Sequence, residues 1–226
     1  PFIDCFLLGE AESLLPSFFE TFDPGSDRRG MLRELARNVR GTYVPSFYIA
    51  TYHESGILNE FTPIEDVPAT VQRVYTADAD MAAAHSAVLT PDTSFDNVFL
   101  IEASRGCSHG CRFCAAGYLY RPPRTNSLPA LLDLMRRGAD HTSKIGLVGT
   151  AISDLPDLTA LCAAAKQRDL QLGFSSLRAD ALNTDLVGAL KDGRVKTATI
   201  APETGSQRMR QVINKGLDEQ DILRAT

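Results

Sequence analysis

Three cysteines, Cys107, Cys111 and Cys114, fall within eight residues, in the run Arg105-Gly106-Cys107-Ser108-His109-Gly110-Cys111-Arg112-Phe113-Cys114. Thiolates separated by three and then two intervening residues converge on one metal centre when the loop wraps around it. Gly106 and Gly110 give the backbone the freedom such a loop needs. Sulfur ligands this dense suit zinc or an iron–sulfur cluster. A structural zinc wants a fourth ligand, and His109 is the local candidate, although it sits between two of the cysteines. A cluster held by three protein ligands leaves one iron open for chemistry. Arg105, Arg112, Arg121 and Arg124 surround the loop, and no acid occurs between Glu102 and Asp133. Such cations offset thiolate charge and suit an anionic substrate or a reductant protein; a solvated basic loop is the plainer alternative.

The other two cysteines stand alone. Cys162 lies on an apolar helical face with Leu158 and Leu161, and Cys5 in an apolar run, so both read as small core residues. An odd cysteine count with one tight cluster argues for metal binding in a reducing, cytoplasmic setting rather than for a disulfide framework. His53, His85 and His141 have no paired ligand at useful spacing.

The remaining elements must position this loop. Residues 97–103, 144–148, 170–174 and 195–200 read as strands. Residues 128–137, 154–168, 180–190 and 206–213 read as helices, with Ser127 capping the first and Pro129 in its first turn. A last helix starts near Asp218. Four strand–helix units in succession predict an α/β fold with a parallel sheet, whose active site gathers at the carboxyl ends of the strands. The cysteine loop follows the first strand. Gly149 and Thr150 follow the second, where Ser153 or Asp154 would cap the next helix. Arg178 and Asp180 follow the third: Arg178 suits a carboxylate and Asp180 suits a helix cap, with a surface pair between them as the alternative. Glu203 follows the fourth, where a carboxylate can accept both ribose hydroxyls or can cap the helix.

Upstream, residues 2–8 form an apolar run. Residues 12–22 suit a helix with Leu14, Leu15, Phe18, Phe19 and Phe22 on one side, and a second helix covers residues 30–39. Residues 43–52 suit a strand with Pro45 at its start or edge. An acidic, proline-bearing stretch with Glu54, Glu60, Glu65, Asp66, Asp78 and Asp80 then reads as a linker or small connecting sheet. The chain of 226 residues carries a net charge of −5 and is 44% hydrophobic. That supports one sizeable core or one domain plus part of another, with no electrostatic case for nucleic acid and no run of membrane-spanning length. It opens without a methionine inside an apolar run, which suggests a piece of a longer chain.

The cysteine motif, with the aromatic Phe113 before its last cysteine, resembles that of the radical S-adenosylmethionine superfamily. The segments Ile101-Glu102-Ala103-Ser104-Arg105-Gly106-Cys107, Gly117-Tyr118-Leu119-Tyr120-Arg121-Pro122, Ser176-Leu177-Arg178-Ala179-Asp180, and Ala201-Pro202-Glu203-Thr204-Gly205-Ser206 with Ile213-Asn214-Lys215 resemble its branch that carries an N-terminal cobalamin-binding domain. The resemblance implies a 4Fe–4S cluster on Cys107, Cys111 and Cys114. It implies S-adenosylmethionine held by Phe113 at adenine, Gly149 and Thr150 at the methionyl amino group, Arg178 at the carboxylate and Glu203 at ribose. It also implies a reductant such as flavodoxin or ferredoxin. The implied fold is a partial (β/α) barrel of about four units over residues 96–226. A linker at 41–95 and the tail of a Rossmann-like cobalamin-binding domain at 1–40 would precede it, with residues 4–10 as that domain's last strand and Tyr43-Val44-Pro45 as the start of the linker. The Asp-x-His-x-x-Gly motif that supplies a histidine to cobalt is absent, so cobalamin belongs only to a longer chain. Six units are usual in the family and about four are present. The implied activity is reductive cleavage of S-adenosylmethionine, with methyl or methylthio transfer as one outcome. A zinc-binding interaction module and an electron-transfer iron–sulfur protein are the alternatives.

Overall fold

A computed structural model describes residues 2–78 and 83–226. The chain divides into two compact units, Pro1–Asp78 and Ala79–Thr226. Asp80 of the acidic stretch lies outside the described residues.

In the first unit, β1 (Phe6–Leu7) pairs antiparallel with β2 (Thr42–Tyr43), and the chain between them forms α1 (Ala11–Thr21) and α2 (Arg28–Asn38). Asp27 caps α2 by accepting from Gly30 N. Of the apolar side expected on α1, only Leu14 is buried, and Phe19 is 67% exposed. This helix packs against α2, while Phe18 stacks on Phe22 and meets Phe19 edge-on. The strand expected over residues 43–52 is interrupted. Pro45–Phe47 turn as a short 3-10 helix, because proline has no N–H to give a ladder. β3 (Tyr48–Tyr52) then pairs antiparallel with β4 (Leu58–Pro63). Leu32, Ala36, Val44, Phe47 and Tyr48 form the unit's core.

The second unit is built on a parallel sheet in the order β5 (Phe99–Glu102), β8 (Lys144–Val148), β9 (Gln171–Phe174). Between β5 and β8 lie β6 (Ser104–Arg105), α3 (Ala116–Leu119), β7 (Arg124–Thr125) and α4 (Leu128–Ala139). Next come α5 (Leu158–Gln167) before β9, and then α6 (Thr184–Asp192), α7 (Gln207–Val212) and α8 (Glu219–Ala225). Strand residues Ile101, Ile145, Leu147 and Leu172 meet Leu131, Leu134 and Met135 of α4 and Leu158, Leu161 and Cys162 of α5 in one core. Cys162 is wholly buried, so it packs as a small hydrophobe.

Several sequence expectations give way here. The fourth strand, 195–200, is reduced to one parallel bridge, Leu177 to Ile200, with Leu177 N donating to Thr199 O at 2.8 Å. Residues 196–199 are all exposed, so no apolar face pins a register. Neither Ser153 nor Asp154 caps α5. Ile152–Asp154 form a 3-10 turn, and Leu155, ahead of Pro156, is forced extended with ψ 122, which delays the helix to Leu158. Asp180 does not cap α6, because Asn183 accepts from Leu186 N and takes that role.

Candidate iron–sulfur and cofactor site

The first strand does not run straight into the cysteine loop. β6 and β7 pair antiparallel, Ser104 with Thr125 and Arg105 with Arg124, and close the base of residues 106–123 like a purse neck. Ala103 N donates to Val148 O at 2.8 Å, which ties that neck to the carboxyl end of β8. Gly106 stands inside it at φ +83, and a Cβ there would lie 2.2 Å from Tyr120 O, so only glycine fits. Cys107 and Cys111 are buried and Cys114 half-buried, all three as free thiols.

The donor set within the loop is sulfur without carboxylate. Among the described residues no three His, Cys, Asp or Glu side chains converge as ligands of one ion. His109, the candidate fourth zinc ligand, is instead tied through Nε2 to Asp154 Oδ2 at 2.7 Å. A multi-iron cluster spreads its thiolates over separate metals, and three buried or half-buried thiols around one loop fit it. The loop's floor also holds buried polar atoms with no partner among the described residues, Ser104 Oγ and Asn126 Oδ1.

The other strand ends surround this loop. A Cβ on Gly149 would lie 2.3 Å from Ser104 Oγ, and Gly149 O accepts from Ser175 Oγ at 2.8 Å. Thr150 is exposed in the same turn. The Arg178 guanidinium forks onto Asp180, at 3.0 and 2.8 Å, and also donates to Lys215 O and Gly216 O at 3.3 and 3.2 Å. Burial opposes its charge, but the hydrogen bond and charge of Asp180, then the charges of Asp154 and Cys111, outweigh burial and raise its pKa. Arg178 therefore stands within electrostatic reach of the Cys111 thiol. The expected alternative, a pairing with Asp180, is present and occupies the fork. Glu203 takes a left-handed backbone, φ 68, which is strained for a residue with a side chain. Its carboxylate accepts from Lys215 Nζ at 3.0 Å, and it lines a cavity of about 490 Å³ with Pro202, Thr204, Gly205, Arg210 and Glu219.

Of the four arginines, Arg105 forks onto Glu102 at 2.8 and 2.6 Å. Arg112 donates to Val212 O, Arg121 to Gly117 O and Arg124 to Pro122 O.

The Radical SAM superfamily model matches residues 101–226, more than half of the chain. The chain belongs to the radical SAM superfamily. It is also 33% identical over 228 residues to "Uncharacterized protein MJ0966" of Methanocaldococcus jannaschii, an alignment that covers 99% of this chain and 44% of that protein. The chain thus spans less than half the length of the curated relative it matches. Members of the superfamily use a 4Fe–4S cluster and S-adenosylmethionine, and the match contains the cysteine loop and every strand end described above.

Within this radical SAM domain, sequence reasoning named Lys215 only in the segment Ile213-Asn214-Lys215 and gave it no role; it stands 5.9 Å from the Phe113 ring centroid while bonded to Glu203. It thereby joins two residues that were singled out separately. Sequence reasoning also missed the Asp154 partner of His109 and the role of Asn214, whose Nδ2 donates to Gly110 O at 2.8 Å. Asn214-Lys215-Gly216 is legible as a turn, but nothing in the sequence says at what it aims.

Proposed function

We propose that this chain binds a 4Fe–4S cluster through Cys107, Cys111 and Cys114 and cleaves S-adenosylmethionine reductively. The observation that carries the reading is the set of three closely spaced thiols at the carboxyl edge of a parallel sheet, inside the family match. When bound, the cluster supplies one electron that breaks a carbon–sulfur bond of the sulfonium, giving methionine and a 5′-deoxyadenosyl radical. The chain's residues bind and orient. Phe113, 52% exposed, offers a ring face to adenine. Glu203 accepts ribose hydroxyls with the lone pairs that Lys215 leaves. Gly149 and Thr150 meet the methionyl amino group, and Arg178 balances the carboxylate. The electron comes from a small acidic reductant protein of the flavodoxin or ferredoxin type, which the arginines around the loop suit.

The order of β5, α4, β8, α5, β9 and α6 supports the start of a (β/α) barrel. Residues 1–40 as the tail of a cobalamin-binding domain, and 41–95 as a linker, rest on sequence resemblance. Hydrogen abstraction from a substrate, with methyl or methylthio transfer as one outcome, belongs to the whole protein, and a reducing cytoplasmic compartment suits its thiols. Among the described residues no helix is long and apolar enough to cross a membrane.

Anaerobic reconstitution with iron and sulfide is expected to give a cluster spectrum, and added reductant and S-adenosylmethionine to give 5′-deoxyadenosine. Each Cys→Ala change at 107, 111 or 114 should abolish the product. One tightly held zinc without iron would overturn the reading in favour of a binding module. A cluster spectrum indifferent to S-adenosylmethionine would leave electron transfer alone.

A further inference from the structure

We infer that the turn at residues 213–216 is a brace that holds the cysteine loop and the Phe113 ring in their ligand-ready arrangement, with Asn214 and Lys215 as its positioning residues. The inference rests on the radical SAM reading of the loop and assigns work to residues outside the cysteine motif. The brace grips the loop on both sides of Cys111. Arg112 N donates to Ile213 O at 2.9 Å, and Asn214 Nδ2 donates to Gly110 O at 2.8 Å. Asn214 does so from φ 54, a left-handed position that asparagine tolerates better than most residues. Its amide lies so close that a Cβ on Gly110 would come within 3.2 Å of it.

The brace is itself anchored. The Arg178 guanidinium holds Lys215 O and Gly216 O, and Lys215 N donates to Arg210 O at 2.9 Å. The Lys215 ammonium is then aimed between the Glu203 carboxylate and the Phe113 ring, and its side chain is only 11% exposed. An ammonium screened from water makes a stronger ion pair and cation–π contact than an exposed one. One lysine therefore sets the aromatic face and the carboxylate relative to each other before any ligand arrives. Pre-organisation of this kind removes an ordering cost from binding.

Three variants of the full chain test this: Asn214→Gly, Lys215→Met and Lys215→Arg. Asn214→Gly keeps the left-handed backbone and removes only the amide. It is expected to release iron to a chelator about tenfold faster than wild type, the scale of one lost hydrogen bond of about 1.4 kcal/mol. Its urea midpoint should fall by no more than one lost hydrogen bond accounts for. Lys215→Met is expected to keep wild-type iron content but to weaken S-adenosylmethionine binding about tenfold. It should also diminish the change that this ligand makes in the electron paramagnetic resonance of the reduced cluster. Lys215→Arg should restore both. Wild-type iron release in Asn214→Gly together with wild-type binding in Lys215→Met would overturn the brace. So would a fall in urea midpoint well beyond that of one hydrogen bond, which would mark general unfolding as the cause. If the wild-type protein takes up no iron, the proposed cluster binding fails instead. The brace is then read in the apo protein from iodoacetamide labelling of Cys111, which Asn214→Gly should accelerate and which an idle turn would leave unchanged.

Discussion

Gly149 is the residue at which packing and ligand contact can be separated by experiment. In Gly149→Ala the new methyl would sit 2.3 Å from Ser104 Oγ, 2.7 Å from Ile152 Cδ1 and 3.3 Å from Ser104 O. Ile152 is fully buried, so the neighbours give way only partly. Overpacking of this kind costs about 1–3 kcal/mol, and the 2.3 Å approach puts Gly149→Ala toward the upper end. Ser104→Ala removes the nearest atom. It also removes a buried hydroxyl with no partner among the described residues, whose desolvation costs about 1–3 kcal/mol. Ser104→Ala alone is therefore expected to be neutral or stabilising, and the double variant to recover about 1–2 kcal/mol of the loss. Urea unfolding of all four proteins, with unchanged dependence on denaturant, measures the coupling. Additivity within about 0.5 kcal/mol would refute the steric argument. S-adenosylmethionine binding then reads the second role. If the Gly149 backbone meets the methionyl amino group, the double variant should regain stability and stay weak in binding. Full recovery of binding would make Gly149 a packing glycine only.

Other perturbations give sharp outcomes. Burial, then the charge of Asp192, pushes the Cys162 thiol up to about 11. At pH 8 only about one molecule in a thousand is then thiolate, so native protein should be labelled by iodoacetamide at other cysteines first and at Cys162 only on unfolding. Because the folded value lies above that of an unfolded thiol, about 8.5, the stability this thiol contributes is complete below that value. It is lost as pH rises toward 11. Cys162→Ala should flatten that alkaline fall in urea midpoint. Arg210 is 2% exposed and donates to Thr204 O, Leu217 O and Gln207 Oε1. Arg210→Met should cost about 2–4 kcal/mol by stranding buried acceptors, with no rescue by lysine, whose single ammonium cannot span all three. Asn183→Ala should cost about 1 kcal/mol in thermal or urea unfolding through the lost cap of α6.

The parts legible in the sequence are those fixed by local pattern. β8 coincides with its expected span because Ile145, Leu147 and Val148 make a short apolar run bounded by Thr142-Ser143 and Gly149-Thr150. The cysteines were legible because ligand spacing is itself a local property. Residues 195–200 also carry β-branched side chains, yet they form one bridge, since the pairing depends on what the sheet edge offers rather than on propensity. The caps of α5 and α6 were misplaced because several polar residues near a helix start compete, and Asp154 and Asp180 are drawn instead to His109 and Arg178. Lys215 was out of reach for the same reason. Its partners, Phe113 and Glu203, lie far apart in sequence, and only the folded turn brings them to one ammonium.

The single bridge beyond β9 bears on how the chain behaves in concentrated solution. Leu172 N reaches Gly193 O and Leu177 N reaches Thr199 O, but among the described residues no strand covers the outer side of β9. A partly open parallel edge is a template for main-chain pairing with a second molecule. Lys196, charged and exposed beside it, is placed to discourage that pairing at low salt, while Arg194 is paired with Asp169. Association of residues 1–226 as isolated material should therefore grow with ionic strength, as screening weakens the charge barrier beside this edge.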